Sequence, residues 1–278
     1  MEIRRLTFGS GEGNMGIMKL GFIGTGHITA ALVEGFCTAD DPPAGVMVSP
    51  RNAEKAARLA ARFSQVEVSE SNQAIVDGCD CVFLALRTPV APLVLREIRF
   101  RPNQPIISLI ITHPLAQIRK LVEPARKIAW AVPLPSVACR LGPIAVYPDE
   151  SFAVEILANV GKPVVVRDEP QLRILVALTA LVCPFYSLIE ETSRWATDAG
   201  VERDIARPYT AAMFHSLSAL AMDASGGSFS DLVAESATPG GLNEQALKEI
   251  REREGYKPFL HALDSILIRL GGKPPRHP

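Results

Sequence analysis

The ten residues Gly21-Phe22-Ile23-Gly24-Thr25-Gly26-His27-Ile28-Thr29-Ala30 constrain this chain more than any other stretch. A short apolar run, Leu20 to Ile23, ends in a glycine pair and passes directly into an apolar-periodic helical segment from Ile28 to Phe36. Gly24 permits a tight turn and Gly26 lets the backbone approach a pyrophosphate. The free amides that open the helix, in the turn formed with Thr25, His27 and Ile28, favour its negative charge. The third small position of this pattern holds Thr29, so helix–strand packing is expected to be slightly less close than glycine would allow. A glycine turn without a ligand is the competing reading; the strand–turn–helix setting favours a dinucleotide.

Further apolar runs repeat the alternation. Val46 to Val48, Val66 to Val68, Cys81 to Leu86, Ile106 to Ile110 and Ile128 to Val132 read as strands, most of them separated by helical segments such as Ala53 to Phe63. Ala145 to Tyr147 and Val164 to Val166 extend the set. Such alternation predicts an α/β fold, a Rossmann-type doubly wound parallel sheet over residues 18–168. After Asp168 strand patterns cease. Helical periodicity then runs over about 169–198 and 203–223, with shorter segments near 228–236, 243–254 and 257–270, so 169–278 reads as an all-α domain. Gly271-Gly272 ends the last helix. Residues 1–17, polar and glycine-rich, read as a flexible arm, and Met18 is a candidate functional start.

Composition removes several classes. Of 278 residues 47% are apolar and 21% charged, with 29 basic against 30 acidic side chains, which argues against disorder and against a nucleic-acid partner. The five cysteines are odd in number and scattered, unlike a disulfide framework or a zinc site, so a reduced cytoplasmic setting and no metal are expected. No apolar segment follows Arg4 and Arg5 to make a secretion signal. The longest uncharged apolar run, Ile174 to Ile189, falls short of the ~20 residues of a membrane span, so no membrane passage is expected. That run is apolar nearly all round, and a helix of this kind must be buried. A second copy of the chain is the expected cover, making a homodimer through the C-terminal helices; burial between two domains of one chain is the alternative.

The end of the second strand discriminates between dinucleotides. An NAD site usually carries an acidic residue there, whereas this chain has Ser49-Pro50-Arg51-Asn52. Arg51 can pair with a 2′-phosphate, and Ser49 and Asn52 can donate to it, so NADPH is the expected cofactor and NADH a lesser possibility. An exposed helix-start arginine is the plainer alternative. A second segment, Thr238-Pro239-Gly240-Gly241-Leu242-Asn243-Glu244, precedes a helical pattern and offers successive amides to a carboxylate. Taken alone, it reads rather as an ordinary turn with a helix cap. His27 is a candidate neutral donor to the cofactor or a structural turn residue. Tyr186 is a candidate substrate contact, although packing within its helix is the commoner role.

Four segments in this order resemble pyrroline-5-carboxylate reductase: Met18 to Gly26, Ser49 to Asn52, Val82-Phe83-Leu84-Ala85-Leu86-Arg87 and Thr238 to Gly241. The similarity runs from about 18 to 270. It implies an NADPH-preferring reductase that closes proline synthesis, with a helical dimerisation domain that interlocks with its partner. It also places the Pro239-Gly240-Gly241-Leu242 loop against the substrate carboxylate near the partner's nicotinamide, and Leu86, Arg87 and Pro133 at the cofactor. Thr238 or Asn243 can hydrogen-bond the ring nitrogen and these two are the catalytic candidates, though neither is a strong acid. Departures are concentrated in the active-site stretches. Asn243 stands where the family usually has Thr, and Val132-Pro133-Leu134-Pro135-Ser136 where it has Met-Pro-Asn-Thr-Pro. Ala180 to Tyr186 has lost the family's glycines, and Ile110-Ile111-Thr112 replaces Ala-Ala-Gly. These changes suggest a divergent subgroup, with room for a larger or less polar cyclic imine. The rival functions are reduction of another imino or keto acid, and a non-catalytic dinucleotide-binding regulatory dimer.

Overall fold

The structure is a computed structural model that describes residues 15–223 and 227–275. The chain divides into two compact units, residues 1–176 and 177–278. In the first unit strands and helices alternate in the order β1 (Lys19–Ile23), α1 (His27–Cys37), β2 (Gly45–Val48), α2 (Ala53–Arg62), β3 (Val66–Val68), α3 (Asn72–Gly78), β4 (Cys81–Leu84) and α4 (Ala91–Arg96). They continue as β5 (Ile106–Ser108), α5 (Leu115–Leu121), β6 (Ile128–Val132), β7 (Pro143–Tyr147), α6 (Ser151–Ala158), β8 (Lys162–Val165) and α7 (Glu169–Thr179). The eight strands form one sheet in the order β3-β2-β1-β4-β5-β6-β7-β8. Pairing is parallel from β3 through β6, then antiparallel between β6 and β7, and parallel again to β8. The sequence pattern did not reveal this reversal, because a buried antiparallel strand such as Ile144-Ala145-Val146 is as continuously apolar as a parallel one.

Central strands β4 and β6 are buried along their whole length, as expected of a sheet covered on both faces. Phe22 on β1 faces Phe83 on β4 in register, their rings stacked at 4.6 Å, and Phe36 of α1 meets Phe83 edge-on at 5.8 Å. Each fully buried ring contributes roughly 1.5–3 kcal/mol, and a one-residue slip would turn Phe22 out of the cluster, so this packing fixes the β1–β4 register. Helices α2 and α3 start where Asn52 and Ser71 accept backbone N–H groups from Lys55 and Ala74.

Two boundaries differ from those read off the sequence. Met15–Ile17 are ordered as a short helical turn and not as part of an arm: Met15 is buried and its N–H donates to Asp41 Oδ2 at 2.9 Å. Residues 1–14 of the expected arm lie outside the described residues. The division between units falls within α7, eight residues beyond the expected 168, because α7 buries Leu172 and Val176 in its first turns.

The second unit is helical: α8 (Val182–Asp198), α9 (Arg203–Asp223), α10 (Phe229–Ser236), α11 (Leu242–Glu252) and α12 (Lys257–Arg269). The helix expected over 169–198 is two helices. Pro184 has no N–H to give the Ala180 carbonyl and its ring crowds that group, so the chain turns at Ala180 and Leu181. The stretch Glu169–Asp198 as a whole is long and apolar enough to cross a membrane, unlike the shorter uncharged run counted from the sequence. Gly200, at φ 106°, ends α8, with the Val201 N–H returning to Ala196 O; Gly271, at φ 77°, ends α12 with Gly272 N–H on Leu267 O. Ser228 and Asp231 form a reciprocal cap on α10.

Candidate functional site

Strand order reverses direction at β1 and β4, the position where open α/β sheets leave a crevice at their carboxyl ends. Ile23 pairs with Leu84 and Leu84 with Ser108, so the turns following β1, β4 and β5 leave the sheet at one level. Gly24 has φ 104°, and a Cβ there would stand 2.4 Å from the Ala85 carbonyl oxygen. Only glycine lets the ends of β1 and β4 come this close. Gly26 opens α1 with no side-chain cap, and a Cβ on it would meet nothing within 4 Å. Amides opening α1 therefore face space that a pyrophosphate fits. His27, the first residue of α1, is exposed and has no hydrogen-bond partner among the described residues, while Ile28 packs against the core.

A buried network fixes this turn. The Gly24 N–H donates to Ser49 Oγ at 2.9 Å, and Thr25 Oγ1 donates to the Ser49 carbonyl at 2.7 Å and lies 3.1 Å from Ser49 Oγ. Thr29 Oγ1 donates to Gly24 O at 2.6 Å, so the hydroxyl that replaces a third glycine locks the turn from below. Ser49 is 1% exposed and Thr25 4%, which corrects the expectation that the Ser49 hydroxyl donates to a 2′-phosphate. The hydroxyl is consumed in holding the glycine turn to the end of β2. Asn52 is engaged as well: Nδ2 donates to Thr25 O at 3.2 Å and Oδ1 accepts from the Lys55 N–H. Arg51, between them, is exposed and has no partner among the described residues, so its guanidinium is free for a phosphate.

After β4, Leu86 is half-buried and Arg87 exposed, its carbonyl accepting the Val90 and Ala91 N–H groups. Pro133 follows β6 and is half-buried. Sequence reasoning missed a polar cluster at this sheet edge: Thr88 and Thr112 hydroxyls are hydrogen-bonded, and His113 Nε2 is 3.3 Å from the Thr88 carbonyl. The available signal was a Thr-Pro and a Thr-His-Pro directly after two strand runs. Burial sets the three inner cysteines against a nucleophilic role: desolvation pushes Cys37 up to about 12 and Cys79 up to about 11, and raises Cys81 further.

In the second unit, Thr238-Pro239-Gly240-Gly241 forms a tight turn closed by Gly241 N–H on Thr238 O at 2.8 Å, with Gly240 at φ 72°. The Gly240 N–H donates to Glu244 Oε2 at 2.7 Å, a contact the sequence did not disclose. Both glycine amides expected to hold a carboxylate are therefore already paired. The amides of Leu242 and Asn243, in the first turn of α11, have no partner among the described residues and take over that capacity. Asn243 Nδ2 donates to Ser236 O at 3.1 Å. Thr238, Gly241, Leu242 and Asn243 border a cleft of about 250 Å³. A larger one of about 890 Å³ lies between α10 and α11, with Val233, Ala237, Gly240, Glu244 and Lys248 among its walls. Tyr186, 60% exposed on α8 and packed against the Phe185 ring, lines neither cleft.

Comparison with known proteins agrees with both halves. The family model for "NADP oxidoreductase coenzyme F420-dependent" proteins matches residues 19–111, and the model for "Pyrroline-5-carboxylate reductase dimerisation" matches residues 169–269. A pyrroline-5-carboxylate reductase of Pseudomonas aeruginosa is 24% identical over 202 residues, 69% of this chain and 72% of that protein. The fold resembles crystal structures of the Streptococcus pyogenes 1-pyrroline-5-carboxylate reductase (TM-score 0.79, 19% identity, 91% of this chain and 98% of that one). It equally resembles the Plasmodium falciparum pyrroline carboxylate reductase with NADP bound (TM-score 0.79, 18% identity, 92% and 98%).

Proposed function

We propose that this chain, which matches an NADP oxidoreductase model over 19–111 and the pyrroline-5-carboxylate reductase dimerisation model over 169–269, is a reductase of that family and reduces the C=N bond of a cyclic imino acid with NADPH, pyrroline-5-carboxylate to proline in the first instance. The observation that carries this reading is the Gly24 turn, open at Gly26 and flanked by the unpaired Arg51.

When bound, NADPH supplies a hydride to the imine carbon. The chain's task is then positioning. The amides opening α1 take the pyrophosphate, Arg51 takes the 2′-phosphate, and Ser49 and Asn52 act by holding the turn instead of touching the ligand. His27, Leu86, Arg87 and Pro133 line the cofactor's path along the sheet edge. In the second unit the Leu242 and Asn243 amides take the substrate carboxylate, with Thr238, Pro239, Gly240 and Gly241 shaping the turn that presents them. Because Asn243 Nδ2 is spent on Ser236 O, its Oδ1 is the atom left to accept a hydrogen bond from a protonated imine nitrogen. An amide is no acid, so the nitrogen's proton comes from solvent.

A homodimer through the C-terminal helices completes the proposal. Trp195, Tyr209 and Phe229 are each more than 70% exposed in the single chain, and the dimerisation-family match spans all three. Light scattering at micromolar concentration should return twice the 30.0 kDa chain mass; a monomer rejects this part. A second substrate reading, a larger or less polar imine, is favoured by the half-buried Leu134 after β6. Steady-state NADPH oxidation with pyrroline-5-carboxylate, piperideine carboxylates and 2-keto acids tests the whole. Turnover on an imine supports it; bound NADPH with no turnover on any imine refutes it.

A further inference from the structure

The strands on either side of a switch point take opposite ends of a dinucleotide. With the 2′-phosphate assigned to Arg51 after β2, the adenosine end lies over β1–β3, and the turns after β4, β5 and β6 fall to the nicotinamide end. The β5 turn is anchored on both sides there. Ile110 and Leu115 are buried, and Ser108 Oγ accepts the Ile110 N–H at 3.2 Å. Between those anchors the Thr112 hydroxyl bonds to that of Thr88 in the β4 turn, and half-buried His113 places Nε2 3.3 Å from the Thr88 carbonyl oxygen. A carbonyl only accepts, so Nε2 carries the hydrogen whether the ring is neutral or cationic. Protonation therefore leaves this latch in place. What changes is Nδ1, which has no partner among the described residues, and with it the charge of a ring held at the crevice.

The surroundings make that charge count. Residues 85–96 and 109–121 supply both turns and the helices α4 and α5 that pack behind them. They carry Arg87, Arg96, Arg119 and Lys120 and no carboxylate, and the β6 turn, Pro133 to Ser136, carries no charge. The arginines and the lysine keep their charge from pH 6 to 8.5, so a histidine is the one side chain of these turns and helices whose charge changes there. We propose that His113 is a specificity-determining residue that discriminates between oxidised and reduced coenzyme, its cationic form disfavouring NADP+ relative to NADPH. This rests on NADPH being the coenzyme of the proposed reductase. The two coenzyme forms differ by one positive charge on the nicotinamide ring, so a cation on that half of the crevice acts chiefly against the oxidised one.

The test is calorimetric titration of the full-length protein with NADP+ and with NADPH, at low salt, at about pH 6 and about pH 8.5, in wild type and His113→Gln. Glutamine keeps an N–H for the Thr88 carbonyl and cannot become a cation. The readout is the ratio of the two Kd values, in which His27, Arg51 and the 2′-phosphate cancel because they belong to the adenosine and pyrophosphate end that both forms share. In wild type the ratio of Kd for NADP+ to Kd for NADPH should rise about three- to tenfold on acidification, less as salt is added, and in His113→Gln it should stay level. His113→Asn, likewise neutral, should give the same level ratio. A ratio independent of pH in wild type, or a rise that survives in either variant, overturns the proposal while leaving the coenzyme assignment intact. Absence of binding of both coenzymes in wild type overturns that assignment and this proposal with it.

Discussion

Ser49→Ala separates a residue that holds the cofactor turn from one that touches the cofactor. The substitution removes the acceptor of the Gly24 N–H at 2.9 Å and the hydroxyl 3.1 Å from Thr25 Oγ1, at a position 1% exposed to solvent. A buried donor left without its partner costs about 1–3 kcal/mol. For a unit of 176 residues that corresponds to a fall in melting temperature of about 2–12 °C. The same loosening should weaken NADPH and NADH together, leaving their affinity ratio within about twofold, because both share the pyrophosphate that the turn cradles. Thermal unfolding followed by calorimetric titration with each coenzyme reads both quantities. A normal melting temperature with a loss confined to NADPH would refute the reasoning and return Ser49 to the phosphate.

Arg51→Ala should show the opposite pattern, a loss of about 1.5–3 kcal/mol for NADPH, roughly 10- to 150-fold, with NADH binding unaltered; equal loss for both would reject the phosphate clamp. Gly24→Ala places a side chain at φ 104° against the Ala85 carbonyl oxygen. It should cost about 2–5 kcal/mol from strain and overpacking, read as a lower urea midpoint and lost cofactor binding; a stable, cofactor-binding variant would contradict the turn's geometry. Cys37 and Cys79 titrate at about 12 and about 11 in the folded chain against 9.0 for a free thiol. Above pH 9 the unfolded chain therefore releases protons that the folded one keeps, and stability present below that pH declines as it rises towards 11. A urea midpoint that falls less steeply over this window in Cys79→Ala than in wild type supports the assignment; identical slopes do not. Cys139 is exposed and lies outside the helices proposed to pair, so native protein should react rapidly there and slowly at Cys37, Cys79 and Cys81.

The strand–helix alternation, the glycine turn and the helical second half were legible because each rests on local chemistry: continuous apolar runs, glycine's conformational range, and helical period. The antiparallel β7 was not, since Ile144 to Val146 is buried on both faces whichever way it runs. The break between α7 and α8 was not, since helical periodicity over 169–198 bridges a two-residue interruption. At the site, residue types indicated which groups can bind a phosphate or carboxylate but not which are already occupied. Ser49, Gly240 and Gly241 are all engaged within the protein by partners 3 to 25 residues away, as Gly24 and Ser49 illustrate. Arg51 remained readable because an exposed guanidinium has no such internal claim on it.

Hydride transfer to a ring carbon is the centre of the account, and isotopic labelling follows it directly. Incubation with NADPH dideuterated at C4 and pyrroline-5-carboxylate should yield proline carrying one deuterium at the former imine carbon, with one coenzyme oxidised per product formed. Coenzyme that binds but is not consumed, or product without deuterium, would contradict it.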